Sequence, residues 1–357
     1  MRVPDRFLLD GVAWPLRRAW PRSSEVCPLE LERPDGGTVV GQWFASEDDA
    51  RRELGRTPGA RAGDDPRLVL QPDGADRKLP GLAALVGDGA ELLAHRPGRR
   101  AVVRLNSGRY VKVIRPGRAG PMVARHRALA EIVHGVADVP EVLAVGDDRV
   151  ELAAVAGVPP LSLAAGGPVI WREAWHQVSA VLVRMAGADP DGLAVHDAAA
   201  EVEVTRSWVA RAAAAGRLPV REVDDLLASL LDGVPTRLRV AHRDLHDGQL
   251  LVADGRLGLL DPDTLAAAEP ALDLANLLVH LQLRVEQGLL AAEPAREASA
   301  ILRDAADRLP PGTTDRLVAY ARAARLRLAA VYSLRPRWHD LAQRWFEADT
   351  RPAEASA

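Results

Sequence analysis

The chain has 357 residues, of which 48% are hydrophobic and 27% charged, an ordinary balance for a globular protein long enough to hold more than one core. Its net charge of −3 lacks the basic footprint of a nucleic-acid binder, and no apolar run reaches the ~18 residues of a membrane helix, so neither kind of partner is expected. A single cysteine, Cys27, excludes an internal disulfide framework and a multi-cysteine zinc site, and it reads as a small packing residue.

The opening MRVPDRFLLDGVAWPLRRAW lacks the charged start, apolar core and small-residue cleavage site of a signal peptide, so a reducing cytoplasm is expected. Residues 1–86 read as a strand-rich extension or cap. The turn Arg33–Gly37 predicts a hairpin between Pro28–Glu32 and Thr38–Phe44, and Ser46 predicts a capped helix over Ser46–Leu54. Residues 57–66 read as a loop. Residues 87–156 read as a small α+β lobe: strands Ala90–Ala94, Arg100–Leu105 and Arg109–Ile114, a helix over Pro121–His134, then strands Glu141–Val145 and Arg149–Val155. Residues 157–350 are mainly helical, with helices predicted over Trp171–Ala186, Asp197–Ala215 and Arg221–Leu231 and from Pro270 onward. A compact β segment, Leu238–Ala241, Leu250–Val252 and Leu257–Leu260, interrupts them. Residues 351–357 read as a disordered tail.

The chemistry concentrates in that β segment. One strand delivers His242-Arg243-Asp244 into a loop, Gln249 closes the loop ahead of a second strand, and Asp261 ends a third. If the three strands lie side by side, two carboxylates and an amide oxygen converge. Phosphoryl transfer needs such a set: one carboxylate to orient and deprotonate a hydroxyl, here Asp244, and hard oxygens for magnesium, here Asp261 and Gln249. Asp263 and Asp247 read as supporting groups. His242 and His246 stand at a strand end beside Gly248, so the helical spacing of a zinc pair does not apply.

The run HRDLHDGQLLV, with GLLDPDT and EPALDLANLL after it, resembles the aminoglycoside phosphotransferase and choline kinase-like superfamily, distant relatives of protein kinases. Its HxDxHxGQ pattern is nearest to actinobacterial maltokinase-like and glucosamine-kinase-like enzymes. The resemblance is specific over about 238–280 and looser over about 90–235. It implies a bilobal α+β kinase fold, with Asp244 as catalytic base, Asp261 as magnesium ligand and Asp273 steadying the catalytic loop; His242 and His246 fall in the same supporting shell. Position 249, usually Asn in the family, is Gln here, which is longer but carries the same amide oxygen.

A kinase also needs a strand lysine for the nucleotide phosphates. The chain has two lysines, Lys78 and Lys112, and Lys112 stands in the apolar strand Tyr110-Val-Lys-Val-Ile114. Glu131, on the following helix, is the expected acidic partner. No G-x-G-x-x-G occurs; the turn His95–Arg100 takes its place, with Gly98 for close backbone approach and Arg96 and Arg99 for phosphate oxygens. By resemblance, Ala153 and Val155 lie in the hinge that lines the adenine slot. ATP with magnesium is the expected co-substrate, with GTP left open. The segment between Asp261 and Pro270 is too short for a peptide platform, which points to a small-molecule acceptor of sugar, amino sugar or aminoglycoside type. Trp171, Trp175, Trp208, Trp338 and Trp345 lie on the helices that would grip it, mostly as core residues, and Asp340 and Glu347 are candidate partners for amino groups. A nucleotide-binding regulatory module without turnover is the alternative, suggested by Gln249 and the absent glycine-rich loop.

Overall fold

The computed structural model describes residues 1–350; the expected disordered tail lies outside the described residues. Strands β1 (Arg6–Leu9), β2 (Val12–Ala19), β3 (Val26–Glu32) and β4 (Thr38–Phe44) form a meander, helix α1 (Glu47–Arg56) follows, and β5 (Arg61–Ala62) and β6 (Leu68–Leu70) complete a six-stranded sheet in the order β1-β2-β3-β4-β6-β5. The expected hairpin is present, with β3 and β4 paired from Glu32–Thr38 to Val26–Phe44. Ser46 caps α1 by accepting the Asp49 amide at 3.2 Å. Strands β1 and β2 were not legible: Pro15 and the Arg17-Arg18 pair break the alternation, and β2 is bulged between Leu16 and Arg18. The short β5 falls in the stretch read as loop. Phe7, Leu16, Leu29, Leu31 and Trp43 cover one face of the sheet together with Cys27, whose buried thiol is pushed up to about 12 and is therefore inert.

Helix α2 (Leu82–Gly87) leads into a second sheet built from β7 (Glu91–Arg96), β8 (Arg100–Arg104), β9 (Tyr110–Ile114), β11 (Val142–Val145) and β12 (Arg149–Leu152); α3 (Ala119–Ile132) and β10 (Ala137–Asp138) intervene. The order is β11-β12-β9-β8-β7, antiparallel throughout, which puts Lys112 on the central strand between Val102 and Val150. The remaining elements are α4 (Pro168–Gly187), α5 (Ala198–Ala214), α6 (Asp224–Asp232), β13 (Arg239–Ala241), β14 (Leu250–Ala253), β15 (Arg256–Leu259), β16 (Ala266–Ala268), α7 (Ala271–Glu286), α8 (Ala292–Ala306), α9 (Thr313–Ser333) and α10 (His339–Thr350).

Two cores hold the helical part. Trp171 and Trp175 of α4 pack with α7, α8 and the β14–β15 hairpin, while Tyr320, Trp345 and Phe346 join α9 and α10 to α5, α6 and α7. Trp171, Trp175 and Trp345 are thus core residues with no face left for an acceptor. The expected three-strand arrangement is corrected in one respect. β13 pairs with β16 rather than with the hairpin, and the hairpin's outer partner is β10, parallel to β15. Ala266–Ala268 has the composition of a helix, but burial against β13 overrides that propensity.

The six-stranded cap is docked on this helical part. Its core includes Ala215 and Leu334, the Ala19 amide donates to Leu334 O at 2.9 Å, and Arg217 bonds Asp5 and the Val3 carbonyl. Directly after β16, Glu269 (1% exposed) accepts bonds from Arg316 Nε at 2.9 Å, Tyr320 OH at 3.0 Å and the Thr236 amide at 3.0 Å. Removing one member of a buried charge pair strands the other. Glu269→Ala is accordingly expected to cost about 3–5 kcal/mol in urea unfolding; a change below ~1 kcal/mol would show that the pair is dispensable.

Candidate active site

The loop after β13, which carries Asp244, is held by backbone bonds from α7 as well as by its own strand. Asp273, in the first turn of α7 and 2% exposed, accepts the His242 amide at 2.6 Å and the Arg243 amide at 2.8 Å. Burial lifts its carboxyl above the usual range even with these bonds and the nearby His242 and Arg243. Thr264 Oγ1 donates to His242 O at 2.9 Å, and Asn276 Nδ2 donates to Arg243 O at 2.9 Å. The His242 ring, fully buried, lies with Nε2 2.8 Å from Leu260 O. The Leu260 amide in turn donates to Gln249 O at 2.8 Å. Loop, hairpin and Asp261 are stitched together by these contacts. Arg243 (φ 70°) and Asp261 (φ 54°) both occupy the left-handed region, a strained backbone that this bonding sustains.

Lys112 does not pair with Glu131, which is exposed on α3. Its Nζ lies 2.7 Å from Asp261 Oδ1 and 2.9 Å from Asp263 Oδ1. Arg100, at the start of β8, mirrors it at 3.3 Å from Asp261 Oδ2 and 2.8 Å from Asp263 Oδ2. The α3 residue that faces this cluster is His126, 1% exposed and 3.9 Å from Asp263. Burial opposes ionisation of Asp261, but Lys112 and Arg100 outweigh it and hold the carboxyl well below its usual range. Asp263, buried beside that charge, is pushed up. Partial burial opposes the charge of Arg100, but Asp261, Asp263 and Asp244 outweigh it and raise its pKa. Asp263, read as a supporting group, is a direct partner of Lys112, and Arg100 was not foreseen.

Asp244 is half-buried and makes no ion pair among the described residues. It lines a cavity of about 460 Å³ together with Arg96, Arg99 and Arg100, and with Trp20 and Trp208. Neither Asp340 nor Glu347 lines it. Gln249 is half-buried, and its side-chain amide has no hydrogen-bond partner among the described residues.

The turn that replaces a glycine-rich loop is braced from the cap. Gly98 adopts φ 61°, its amide donates to Asp76, and Arg22 donates to the Pro97 carbonyl. Asp76 pairs with His95 at 3.0 Å, both side chains 1% exposed. The Gly98 amide is thus already bonded, and the turn presents its arginines rather than that amide. In the expected hinge, the Ala153 amide donates to Glu141 O at 2.9 Å and Val155 packs on Gly258. Gly157 (φ 129°) passes so close to Val252 that an added Cβ would lie 2.8 Å from its backbone.

His246 stacks on His280, with ring centroids 4.5 Å apart and planes at 16°. Ligand atoms of His246, Asp247 and His280 lie within 4.8 Å of one another, but the His246 Nδ1 accepts the Gly248 amide at 2.9 Å and Arg284 occupies Asp247 at 3.0 Å, so two of the three donors are already engaged.

The sequence profile of the phosphotransferase enzyme family matches residues 92–305, more than half of the chain, and the chain belongs to that family. Its class is that of an ATP-dependent small-molecule kinase. No curated protein sequence matches it. Among solved structures it is similar to an aminoglycoside phosphotransferase from Streptomyces rimosus at 22% identity, over 68% of this chain and 92% of that one, with a TM-score of 0.48. It is also similar to a glucosamine kinase (19% identity, 95% and 94% of the two chains, TM-score 0.49) and to a macrolide 2'-phosphotransferase from Brachybacterium faecium (20%, 75% and 93%, TM-score 0.46). Among the described residues no helix is long and apolar enough to cross a membrane.

Burial, with His246, Arg284, Arg327 and Arg335 around it, holds the His280 pKa well below the ordinary 6.5. The native ring therefore stays neutral where the unfolded chain takes up a proton, so this residue lowers stability as pH falls below about 6.5. His280→Gln should flatten the urea midpoint between about pH 7.5 and 5 relative to wild type. Equal slopes for the two proteins would rule the effect out.

Proposed function

We propose that the protein transfers the γ-phosphoryl group of magnesium-ATP to a hydroxyl of a small molecule seated beside Asp244, and that it does so in the cytoplasm. The carrying observation is the cluster of Lys112 and Arg100 with Asp261 and Asp263, next to a cavity whose one carboxylate is Asp244. On this reading residues 1–86 are a cap, 87–156 the nucleotide-binding lobe, and 157–350 the lobe that carries the catalytic loop and acceptor site.

Lys112 and Arg100 supply cationic donors for nucleotide phosphate oxygens, with Arg96 and Arg99 beside them on the hairpin turn. Ala153 and Val155 line the adenine slot. The oxygen donors suit magnesium: Asp261 and the unpartnered Gln249 amide are hard ligands from adjoining strand ends, with Asp263 alongside. When bound, magnesium offsets the charge of the phosphates. Asp244, free of any ion pair, orients the acceptor hydroxyl and takes its proton late. The bond from acceptor oxygen to the γ-phosphorus forms while the bond to the β–γ bridging oxygen breaks. ADP departs, and the proton passes from Asp244 to solvent. His242 and Asp273 position the loop.

A second reading, a nucleotide-binding module without turnover, is favoured by the engaged Gly98 amide and by Lys112 bonding both aspartates. A coupled ADP-release assay with magnesium-ATP against sugars, amino sugars and aminoglycosides separates the two. Asp244→Ala is expected to lower turnover by about 10²–10⁴-fold with nucleotide affinity little changed, and Asp261→Ala should abolish magnesium-dependent turnover. Near wild-type rates in either variant would refute the role given to that residue, and ADP release by no acceptor would favour the second reading.

A further inference from the structure

The wall of the Asp244 cavity is unusual in its charge. Seven arginines line it against one carboxylate. Three of them, Arg96, Arg99 and Arg100, come from the β7–β8 turn and stand where nucleotide phosphates are proposed to lie. The other four come from elements with no part in that role: Arg18 from the cap strand β2, Arg284 from α7, Arg327 from α9, and Arg335 from the turn after α9. His246 and His280 complete this end, and Trp20, Trp208 and Tyr332 add aromatic surface.

The pairing of these four shows which charges the fold leaves uncompensated. Arg18 bonds Glu30 at 2.6 Å, Arg284 bonds Asp247 at 3.0 Å, and Arg327 lies 3.3 Å from Glu201 and bonds Asn276. Arg335 has no carboxylate partner among the described residues; its guanidinium sits 4.1 Å from the centroid of the Tyr332 ring. Burial, opposed in part by Tyr332 and reinforced by Arg18 and Arg284, lowers its pKa, the response of a cation lacking its counter-ion. His280, 6% exposed, has its Nδ1 without a hydrogen-bond partner. An ammonium group entering this space would face seven guanidinium groups on the wall, with Asp244 the one carboxylate among its lining residues. An oxyanion would gain two or more charge-assisted bonds and relieve the repulsion among the arginines.

We infer that the acceptor is an anionic hydroxyl compound, a sugar-like molecule bearing a phosphate monoester or carboxylate, whose oxyanion is gripped by Arg335 with help from Arg18, Arg284 and Arg327 while its hydroxyl faces Asp244. This deepens the phosphotransfer reading and rests on it for the identity of the cavity as the acceptor site. The cap is then part of the acceptor site, since Arg18 and Trp20 belong to it.

The test measures binding apart from turnover. The nucleotide site of the full chain is filled with magnesium and a non-hydrolysable ATP analogue, so that the β7–β8 arginines are occupied. Inorganic phosphate, a hexose 6-phosphate, a hexuronic acid, the parent hexose and the 2-amino hexose are then titrated calorimetrically. Anionic probes should bind roughly 10–100-fold more tightly than the neutral hexose, and Arg335→Gln should remove most of that preference. Arg18→Gln should weaken it through a residue on the cap, so the inference does not hang on one variant's folding. Tighter binding of the phosphate ester than of the uronic acid identifies a phosphate-bearing acceptor, and the reverse order a carboxylate. Equal or better binding of the hexose or amino hexose overturns the inference, whatever the ADP-release assay shows. Anion binding lost in both variants, without ADP release, keeps the anion site and removes the phosphotransfer reading instead.

Discussion

Two cations from one sheet face two carboxylates from the other side of the cleft, and the site is organised around that contact. Lys112 and Arg100 sit on adjacent strands β9 and β8, whereas Asp261 and Asp263 follow β15, so four bonds of 2.7–3.3 Å tie the five-stranded sheet to the segment after the β14–β15 hairpin. Buried charges are tolerated only with partners, and breaking such a pair typically costs about 3–5 kcal/mol. The arrangement therefore keeps both lobes in register and sets the lysine and arginine at the place where phosphate oxygens are proposed to lie.

A second layer of constraint makes that contact possible. Asp261 stands in a left-handed conformation, and its neighbour Leu260 is pinned on one side by the His242 ring and on the other by Gln249 O. His242 and Arg243 are fixed in turn by Asp273. The loop carrying Asp244 thus hangs from α7 through main-chain bonds, which orient a carboxylate without using it. Asp244 is left with no ion pair among the described residues, which suits the proton-accepting role proposed for it.

The cap extends this logic beyond the family's matched region. It docks on the helices through Ala215 and Leu334, and it reaches the β7–β8 turn through Asp76 and Arg22, which brace Gly98 and Pro97. One module thereby touches both lobes and contributes to the cavity wall.

The amino-acid sequence by itself determined the local chemistry. The spacing of Asp244, Gln249 and Asp261 across short apolar strands, the isolated Lys112 in a chain of arginines, and the Ser46 cap are local patterns, and the structure has those elements where they were read. Tertiary structure decided the partners, because pairing depends on which faces meet across the fold. Glu131 and His126 stand on one helix, and only the docking of α3 turns His126 inward and leaves Glu131 in solvent. Strand β16 is an alanine run that β13 makes a strand, and arginines far apart in the chain acquire a shared meaning only when four elements and the cap enclose one cavity. Long-range contacts of that kind leave no period or motif in the chain, since any single arginine looks the same on an exposed helix face as on the wall of a binding site.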